Sequence, residues 1–397
     1  MLPKPLSIAV LILSQIAVLS VWFSSAAVFA EMRAEAGLDN TTLAWMSSAT
    51  QVGFGIGALI YAALGLADRF DPRLVFALSA AASAGANALM LVVDPGGTLS
   101  IVLRGVTGAF LAGVYPVGMK IAVGWALRDR ALLVSALVGA LTLGTAAPHL
   151  IALLGGADWR WTITLTSLIA LAGGVIMLSV RLGPYHAKAP RLDVTAIALA
   201  WTNRRIRYAI LGYIGHMWEL YALWAWIGVI AAASYSTAGL GETGDLSKLT
   251  AFLGIALGAL ACIPAGRWAD RTGKGPVAQR VLASSGVMAL VAALVFGGPV
   301  WLAMAVLIIW GALVVPDSAL FSSLVADAAP PERAGSIMTL QNALGFLLTA
   351  VTVQATPWLA ETVGWAWVLA LMALGPVVGV WAMGAHARAE AEITRAA

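Results

Sequence analysis

Five ionisable side chains fall inside long apolar runs of this 397-residue chain, and they are the residues best suited to chemistry. They are Arg104, His149, His216, Glu219 and Asp317. A charge at the centre of a bilayer costs roughly 2.5–3.5 kcal/mol on insertion scales, so an ionisable group at that depth indicates function by default. The chemistry expected of such groups is the uptake and release of a proton or of a charged solute.

His216 and Glu219 are three residues apart, so on a helix they share one face. A carboxylate near an imidazole in a medium of low dielectric can exchange a proton in the physiological range. We predict proton coupling through Glu219 and His216; the alternative is a structural hydrogen bond between helices. A metal site is not expected, because one pair at this spacing has too few ligands, and no cofactor is predicted.

Asp317 follows Pro316 deep in an apolar run. It is predicted to be a second proton site or the partner of a cation, and the alternative is a cap on backbone donors that the proline frees. Arg104 does not readily lose its proton, so it is expected to pair with a carboxylate or to hold an anionic substrate. His149 follows Pro148 near the outer end of its run, and its role stays open.

Aromatic and amide side chains in the same runs are candidates for contact with an organic solute. Aromatic rings at the ends of membrane helices form interfacial belts, but Tyr213, Trp218 and Tyr221 fall in the middle of one run. The alternative for each ring is packing. The predicted substrate-contacting residues are Trp22, Gln51, Arg104, Tyr213, Trp218, Tyr221, Gln341 and Asn342.

The elements that position these residues follow from composition. Hydrophobic residues make up 61% of the chain and charged residues 11%, whereas a soluble domain has roughly 45–50% and about 25%. Lipid offers the backbone no hydrogen bonds, so each long apolar run is predicted to be a membrane helix. The predicted helices are 7–30, 44–66, 74–93, 99–122, 131–154, 161–181, 206–232, 249–268, 278–297, 300–325, 337–359 and 363–385.

The distribution of Lys and Arg predicts the orientation of these helices. With both termini in the cytoplasm, nineteen of the 23 basic residues fall on that side. Three (Arg33, Arg160 and Lys248) fall outside, and Arg104 lies in the membrane. This is the bias of the positive-inside rule. It also explains the net charge of +4, so no nucleic-acid partner is expected.

Two similar loops indicate that the chain is built from two halves. Asp68-Arg69 and Asp270-Arg271 each follow an apolar run, and they lie 202 residues apart (270 minus 68). Tyr115-Pro116 and Pro316-Asp317 repeat at about the same spacing, and prolines there are predicted to break both helices. The predicted division is a six-helix half at 1–182, a cytoplasmic linker at 183–205 and a second six-helix half at 206–397.

These motifs together resemble the major facilitator superfamily of membrane transporters. Its cytoplasmic loop motif is matched loosely after the second helix and more fully after the eighth, and Arg104-x-x-x-Gly108 is similar to its motif in the fourth. The resemblance implies a solute pathway lined by helices one, four, seven and ten, and a part for Arg104 in proton transfer. It also implies that the two loops form a cytoplasmic latch that favours one conformation. The alternative is that their charged residues only set the membrane topology. The latch residues are Asp68, Arg69, Arg73, Asp270, Arg271 and Lys274.

The function predicted is secondary active transport of a small organic solute by alternating access, coupled to protons. A proton-driven exporter and an importer of a small anion both stay open, as does a membrane sensor that transports nothing. No nucleotide-binding or hydrolase motif is present, so an enzyme is not expected. The chain is expected to act as a monomer that crosses the bacterial inner membrane several times, with lipid, protons and the solute as its partners.

Overall fold

The computed structural model describes residues 2–125, 130–186, 193 and 196–396, which form a bundle of α-helices with no β-strand among them. A short 3-10 turn at Ala26–Val28 precedes the second helix. In chain order the helices are α1 (Lys4–Leu19), α2 (Phe29–Ala36), α3 (Asn40–Leu64), α4 (Leu66–Arg69), α5 (Pro72–Leu89), α6 (Thr98–Leu111), α7 (Tyr115–Val123), α8 (Arg130–Gly155), α9 (Trp159–Met177), α10 (Ala196–Thr202), α11 (Arg204–Thr237), α12 (Gly244–Thr272), α13 (Lys274–Val295), α14 (Val300–Leu313), α15 (Ser318–Ala328), α16 (Pro331–Val363), α17 (Trp365–Met372) and α18 (Leu374–Ala396).

Twelve membrane crossings account for these helices, because several crossings consist of two consecutive helices. Among the described residues, ten helical stretches are long and apolar enough to cross a membrane on their own. The first crossing falls short because α1 ends at Leu19, and the third, α5, carries Arg73 and Asn87 among its 18 residues. The predicted all-α membrane fold with twelve helices is confirmed.

Polar caps fix where several crossings begin. Asp39, Asp71, Asp158 and Asn203 each accept a backbone N–H from the first turn of α3, α5, α9 and α11 respectively. These donors have no partner inside the helix, so a side-chain oxygen stabilises the start of each one. α3 ends at Leu64 and is capped by Gly65, whose φ of +58° is the left-handed conformation that favours glycine.

The fourth and tenth crossings are broken, as the matched prolines predicted. α6 stops at Leu111 and α7 starts at Tyr115, with Pro116 in its first turn. α14 stops at Leu313 and α15 starts at Ser318, with Pro316 between them. Proline lacks a backbone N–H and clashes with the preceding turn, so neither crossing can run as one straight helix.

Glycines bring helices within each half into backbone contact. A Cβ atom on Gly53 of α3 would lie 1.9 Å from the carbonyl oxygen of Gly105 on α6. A Cβ atom on Gly215 of α11 would lie 2.4 Å from the carbonyl oxygen of Gly375 on α18. Small residues of this kind permit the close packing on which helix association in lipid depends.

The helices before and after the predicted linker meet along two seams. α8 packs against α12 along one seam, and α3 packs against α16 along the other. The linker predicted at 183–205 contains α10, while residues 187–192 and 194–195 lie outside the described part of the chain. We call the end of the bundle that carries both termini the inner end and the opposite end the outer end.

Candidate functional site

His216 and Asp317 come together between α11 and the break in the tenth crossing. Nδ1 of His216 lies 3.0 Å from Oδ1 of Asp317, and the two side chains are 0% and 1% exposed. The distance is that of an ion pair, but neither atom meets the angles of a hydrogen bond in the described structure. The contact is therefore electrostatic, between two groups that can each carry a proton.

The helix break places the Asp317 carboxylate. Asp317 is the residue immediately before α15, yet its side chain accepts no backbone hydrogen bond from that helix. The capping alternative is thus not realised in this conformation. A carboxylate that is not committed to the backbone remains available for His216.

Aromatic rings enclose the imidazole of His216. The ring centres of Tyr213 and Phe321 each lie 6.0 Å from it. Tyr213 also packs against α16, where a Cβ atom on Gly345 would lie 2.5 Å from the tyrosine ring. Apolar ring faces exclude water, so a charge on this pair interacts in a medium of low dielectric.

Glu219, one turn after His216 on α11, faces the interior of the second half. Its carboxylate is fully buried beside the side chains of Ser285 on α13 and Trp310 on α14. None of these three side chains has an aligned hydrogen-bond partner in the described structure, and Asp317 is close enough to act on the charge of Glu219. Three titratable side chains therefore cluster around the broken crossing.

Arg104 on α6 is held by backbone carbonyls rather than by an acid. Its guanidinium donates to the carbonyl oxygens of Val21 (3.1 Å) and Trp22, and to the side-chain oxygen of Asn87 at 2.8 Å. These carbonyls accept no backbone N–H in the described structure, because α1 ends at Leu19. Ser24 also lies 3.2 Å away, and no described carboxylate pairs with this buried cation.

An aromatic cluster fills the space between the two halves. The Trp22 ring centre lies 4.8 Å from Phe54, 5.7 Å from Tyr221 and 5.7 Å from Phe346. Trp22 and Phe54 come from the first half, while Tyr221 and Phe346 come from the second. Two predicted substrate residues, Trp22 and Tyr221, are thus brought together at the seam.

The other predicted substrate residues are more dispersed. Gln51 on α3 and Gln341 on α16 are fully buried, and neither amide has a hydrogen-bond partner in the described structure. Asn342 is half-buried, and Trp218 donates to the carbonyl oxygen of Leu371 near the end of α17, within the last crossing. Trp218 therefore lies away from the seam, whereas the two glutamines retain polar atoms for a ligand.

In the first predicted latch loop, the acidic residues pair with bases of the same half. Asp68 pairs with Lys120 of α7, and Arg73 lies 2.6 Å from Asp71 and donates to the carbonyl oxygen of Val180. The Arg73 guanidinium holds the pKa of Asp71 below its ordinary value. Arg69 is exposed.

In the second predicted latch loop, one ion pair joins the loop to the tenth crossing. Nζ of Lys274 lies 2.5 Å from Oδ2 of Asp327 on α15. Asp270 and Arg271 are exposed. Each loop is thus bound to the inner part of a broken crossing, and the role of both loops as a latch stays a prediction.

Several partners at the site could not be chosen from the sequence. Asn87 anchors Arg104 and also donates to Ser167 at 2.9 Å. Its signal was a polar residue inside an apolar run, the same signal that selected Gln51. Ser285 and Trp310 carried no such signal, since serine and tryptophan are ordinary residues in membrane helices.

The described residues contain no group of three or more His, Cys, Asp and Glu side chains arranged to hold a metal ion. The chemistry that the cluster can perform is proton exchange among His216, Asp317 and Glu219. The aromatic cluster, and the unpartnered amides of Gln51 and Gln341 on the packed helices α3 and α16, can contact an organic molecule.

Comparisons with known proteins match the chain to one family. The model of the Major Facilitator Superfamily matches residues 10–353. No curated protein sequence matches the chain.

Solved structures of similar fold include three sugar or nucleoside transporters. A D-xylose–proton symporter superposes with a TM-score of 0.72 at 14% identity, over 94% of this chain and 96% of that one. The nucleoside transporter NupG gives 0.71 at 14% identity, over 96% and 99%. The xylose transporter XylE from E. coli, in a partially occluded inward-open conformation, gives 0.70 at 13% identity, over 94% and 96%. At these identities the likeness shows the fold alone.

Proposed function

Because this chain belongs to the Major Facilitator Superfamily, whose members are transporters rather than enzymes, we propose that it is a proton-coupled carrier with His216 and Asp317 at its proton site. It moves a small organic solute without net negative charge by alternating access. The observation that carries this proposal is the buried contact of 3.0 Å between the two side chains at a break in the tenth crossing.

Charge balance explains why such a pair suits coupling. With His216 neutral and Asp317 ionised, the pair carries one buried negative charge, and one added proton makes the pair neutral overall. A buried uncompensated charge is costly, whereas water hydrates it well. The proton is therefore held while the site is closed and exchanged when the site opens to water on either side.

Glu219 extends this site by a second carboxyl group. It lies one turn from His216 and within the influence of Asp317. Two ionised carboxylates that share a dry site repel each other, so a proton on one favours ionisation of the other. In this proposal Glu219 exchanges a proton with His216 and Asp317, and it does not contact the solute.

Arg104 argues against an anionic solute. Its guanidinium is already engaged by two backbone carbonyls, Ser24 and Asn87, and it is 0% exposed. Binding an anion there would require these hydrogen bonds to break. The import of a small anion is thus disfavoured. The part of Arg104 in transport is to hold the chain after α1 against α6.

The polar amides and aromatic rings at the seam support an uncharged, hydroxyl-bearing solute. Rings of Trp22 and Tyr221 offer flat apolar faces, and Gln51 and Gln341 offer donors and acceptors without partners. The structural neighbours include a D-xylose–proton symporter and a nucleoside transporter. We propose that the solute is an uncharged, hydroxyl-bearing molecule of the sugar or nucleoside class.

The proposed topology follows the distribution of basic residues. Both termini lie in the cytoplasm, the halves are 1–182 and 206–397, and the protein works as a monomer in the bacterial inner membrane. Nineteen basic residues on the inner side against three on the outer side support this orientation.

The test uses purified protein in liposomes that contain a pH-sensitive dye. Pentoses, hexoses and nucleosides are added one at a time, and the internal pH is followed. We expect at least one of them to change the internal pH, because a coupled carrier moves protons whenever it moves solute; a fall in pH indicates symport and a rise indicates antiport. Uptake of a labelled sugar or nucleoside without any change in internal pH would contradict proton coupling.

A further inference from the structure

A buried ion pair joins the two halves at the outer end. Nζ of Lys248, in the first turns of α12, lies 2.5 Å from Oε1 of Glu31 on α2. The two side chains are only 9% and 12% exposed. α12 belongs to the second half and α2 to the first, so this contact crosses the seam.

Lys248 also reaches the end of a third helix. Its ammonium group lies 3.4 Å from the carbonyl oxygen of Ala152 and 3.3 Å from that of Gly156, at the C-terminus of α8. The last carbonyls of a helix have no partner within it, and the helix dipole makes this end negative. The ammonium group therefore donates to the last carbonyl groups of α8 and neutralises the charge of Glu31 at the same time.

The other seam, between α3 and α16, is bridged at the same end by side-chain hydrogen bonds. The Asn40 amide at the start of α3 donates to Glu361 near the end of α16. Gln354 of α16 donates to Ser48 of α3 at 2.7 Å. Both seams are thus bridged at the outer end, with the aromatic cluster of Trp22 and its neighbours behind them.

The inner end shows a different pattern. There the ion pairs Asp68–Lys120 and Lys274–Asp327 each remain within one half. Arg333 of α16 lies 3.0 Å from Asp193 of the connecting segment. Among the described residues, the ion pair between Lys248 and Glu31 is the one that joins a crossing of one half directly to a helix of the other half.

We infer that Lys248 is the gate residue of the outer end and that Glu31 and the C-terminus of α8 are the sites at which it engages. When the outer end opens, the ammonium group leaves both, and water replaces them. When the outer end closes, the three partners are buried together, which holds the closed state while the inner end exchanges solute. This inference does not depend on proton coupling or on the identity of the solute.

The reporter for this gate is Cys262, the single cysteine of the chain. It is buried on α12, one of the two helices that form the seam with α8. A membrane-impermeant maleimide is applied to the outer or the inner face of vesicles of known orientation. The rate of Cys262 labelling from the outer face then measures how often that end opens.

Three variants separate the two engagement sites. Lys248→Met removes both, and we expect outer-face labelling to rise by about tenfold as the population shifts toward the open outer end. Glu31→Gln leaves the ammonium group on the carbonyls of α8, and we expect a rise of about threefold. Lys248→Arg keeps the positive charge and is expected to label at the wild-type rate.

The matched control is Glu35→Gln. Glu35 also lies on α2 and accepts from Arg160 at 2.6 Å, but that pair stays within the first half. We expect no change in labelling from either face. Hydrogen exchange of residues 29–36 and 244–250 provides a second readout that does not require Cys262 to react.

The outcomes decide the inference in either direction. Faster outer-face labelling or faster exchange in Lys248→Met, with Glu35→Gln unchanged, supports the gate. Wild-type behaviour of Lys248→Met in both readouts overturns it. If Lys248→Arg or Glu35→Gln opens as often as Lys248→Met, the inference is also overturned, because the effect would then not depend on charge across the seam. If Lys248→Met does not fold, the comparison of Glu31→Gln with Glu35→Gln gives the same decision.

Discussion

At the scale of single residues, burial determines what each ionisable group can do. Arg104 is a permanent cation, and the structure surrounds it with fixed dipoles from carbonyl groups and Asn87. His216 and Asp317 can each lose their charge, and they face each other without a committed hydrogen-bond partner. The first arrangement stabilises one structure, while the second permits a change of state.

Replacing Arg104 by Lys tests the structural role of the guanidinium. An ammonium group cannot reach Val21, Trp22 and Asn87 together, because it lacks the planar fork. We expect the free energy of unfolding to fall by about 2 kcal/mol, the cost of losing charged hydrogen bonds in a buried site. Thermal unfolding in detergent measures this change, with Arg160→Lys on the exposed surface as the control. Equal stability of the two variants would show that the carbonyl contacts contribute little.

At the scale of elements, the break between α14 and α15 makes the site possible. In a continuous helix the backbone around Asp317 would be fully bonded and its side chain would follow the helix surface. Pro316 prevents this, and the carboxylate turns toward α11. The corresponding break between α6 and α7 carries Pro116 but has no acidic residue beside it.

The variant Pro316→Ala tests whether the break serves coupling. Alanine restores a backbone donor and favours helix, so we expect stability to be kept or raised while the proton response to solute is lost. Pro116→Ala is the matched control, since it repairs the equivalent break without moving a carboxylate. Thermal unfolding and dye-reported proton uptake are measured for both variants. A proton response that survives in Pro316→Ala would show that the break is not needed for coupling.

At the scale of the whole molecule, hydropathy was enough to predict the fold. Lipid leaves the backbone no alternative to helices, so twelve apolar runs became twelve crossings. The broken crossings were also predictable, because proline has a local effect. The site was only partly predictable, because contacts between helices depend on how each helix is rotated about its axis.

Particular residues show where this limit lies. The sequence selected His216, Glu219 and Asp317 because each is ionisable within an apolar run, but it paired His216 with Glu219 and not with Asp317. Arg104 was selected for the same reason, yet its partners depend on α1 ending at Leu19, which its apolar sequence does not signal. Lys248 was assigned to an outer loop, and its burial against α8 could be recognised only in three dimensions.

The most direct test of proton coupling at His216 and Asp317 compares Asp317→Asn with Asp327→Asn in liposomes. Both changes remove a carboxylate associated with α15, but Asp327 is exposed and pairs with Lys274. The solute is the sugar or nucleoside that moves protons with the wild-type protein, and both uptake driven by a pH gradient and exchange without a gradient are measured. The proposal predicts that Asp317→Asn loses accumulation against a gradient but keeps exchange, while Asp327→Asn keeps both. Wild-type accumulation by Asp317→Asn would contradict it.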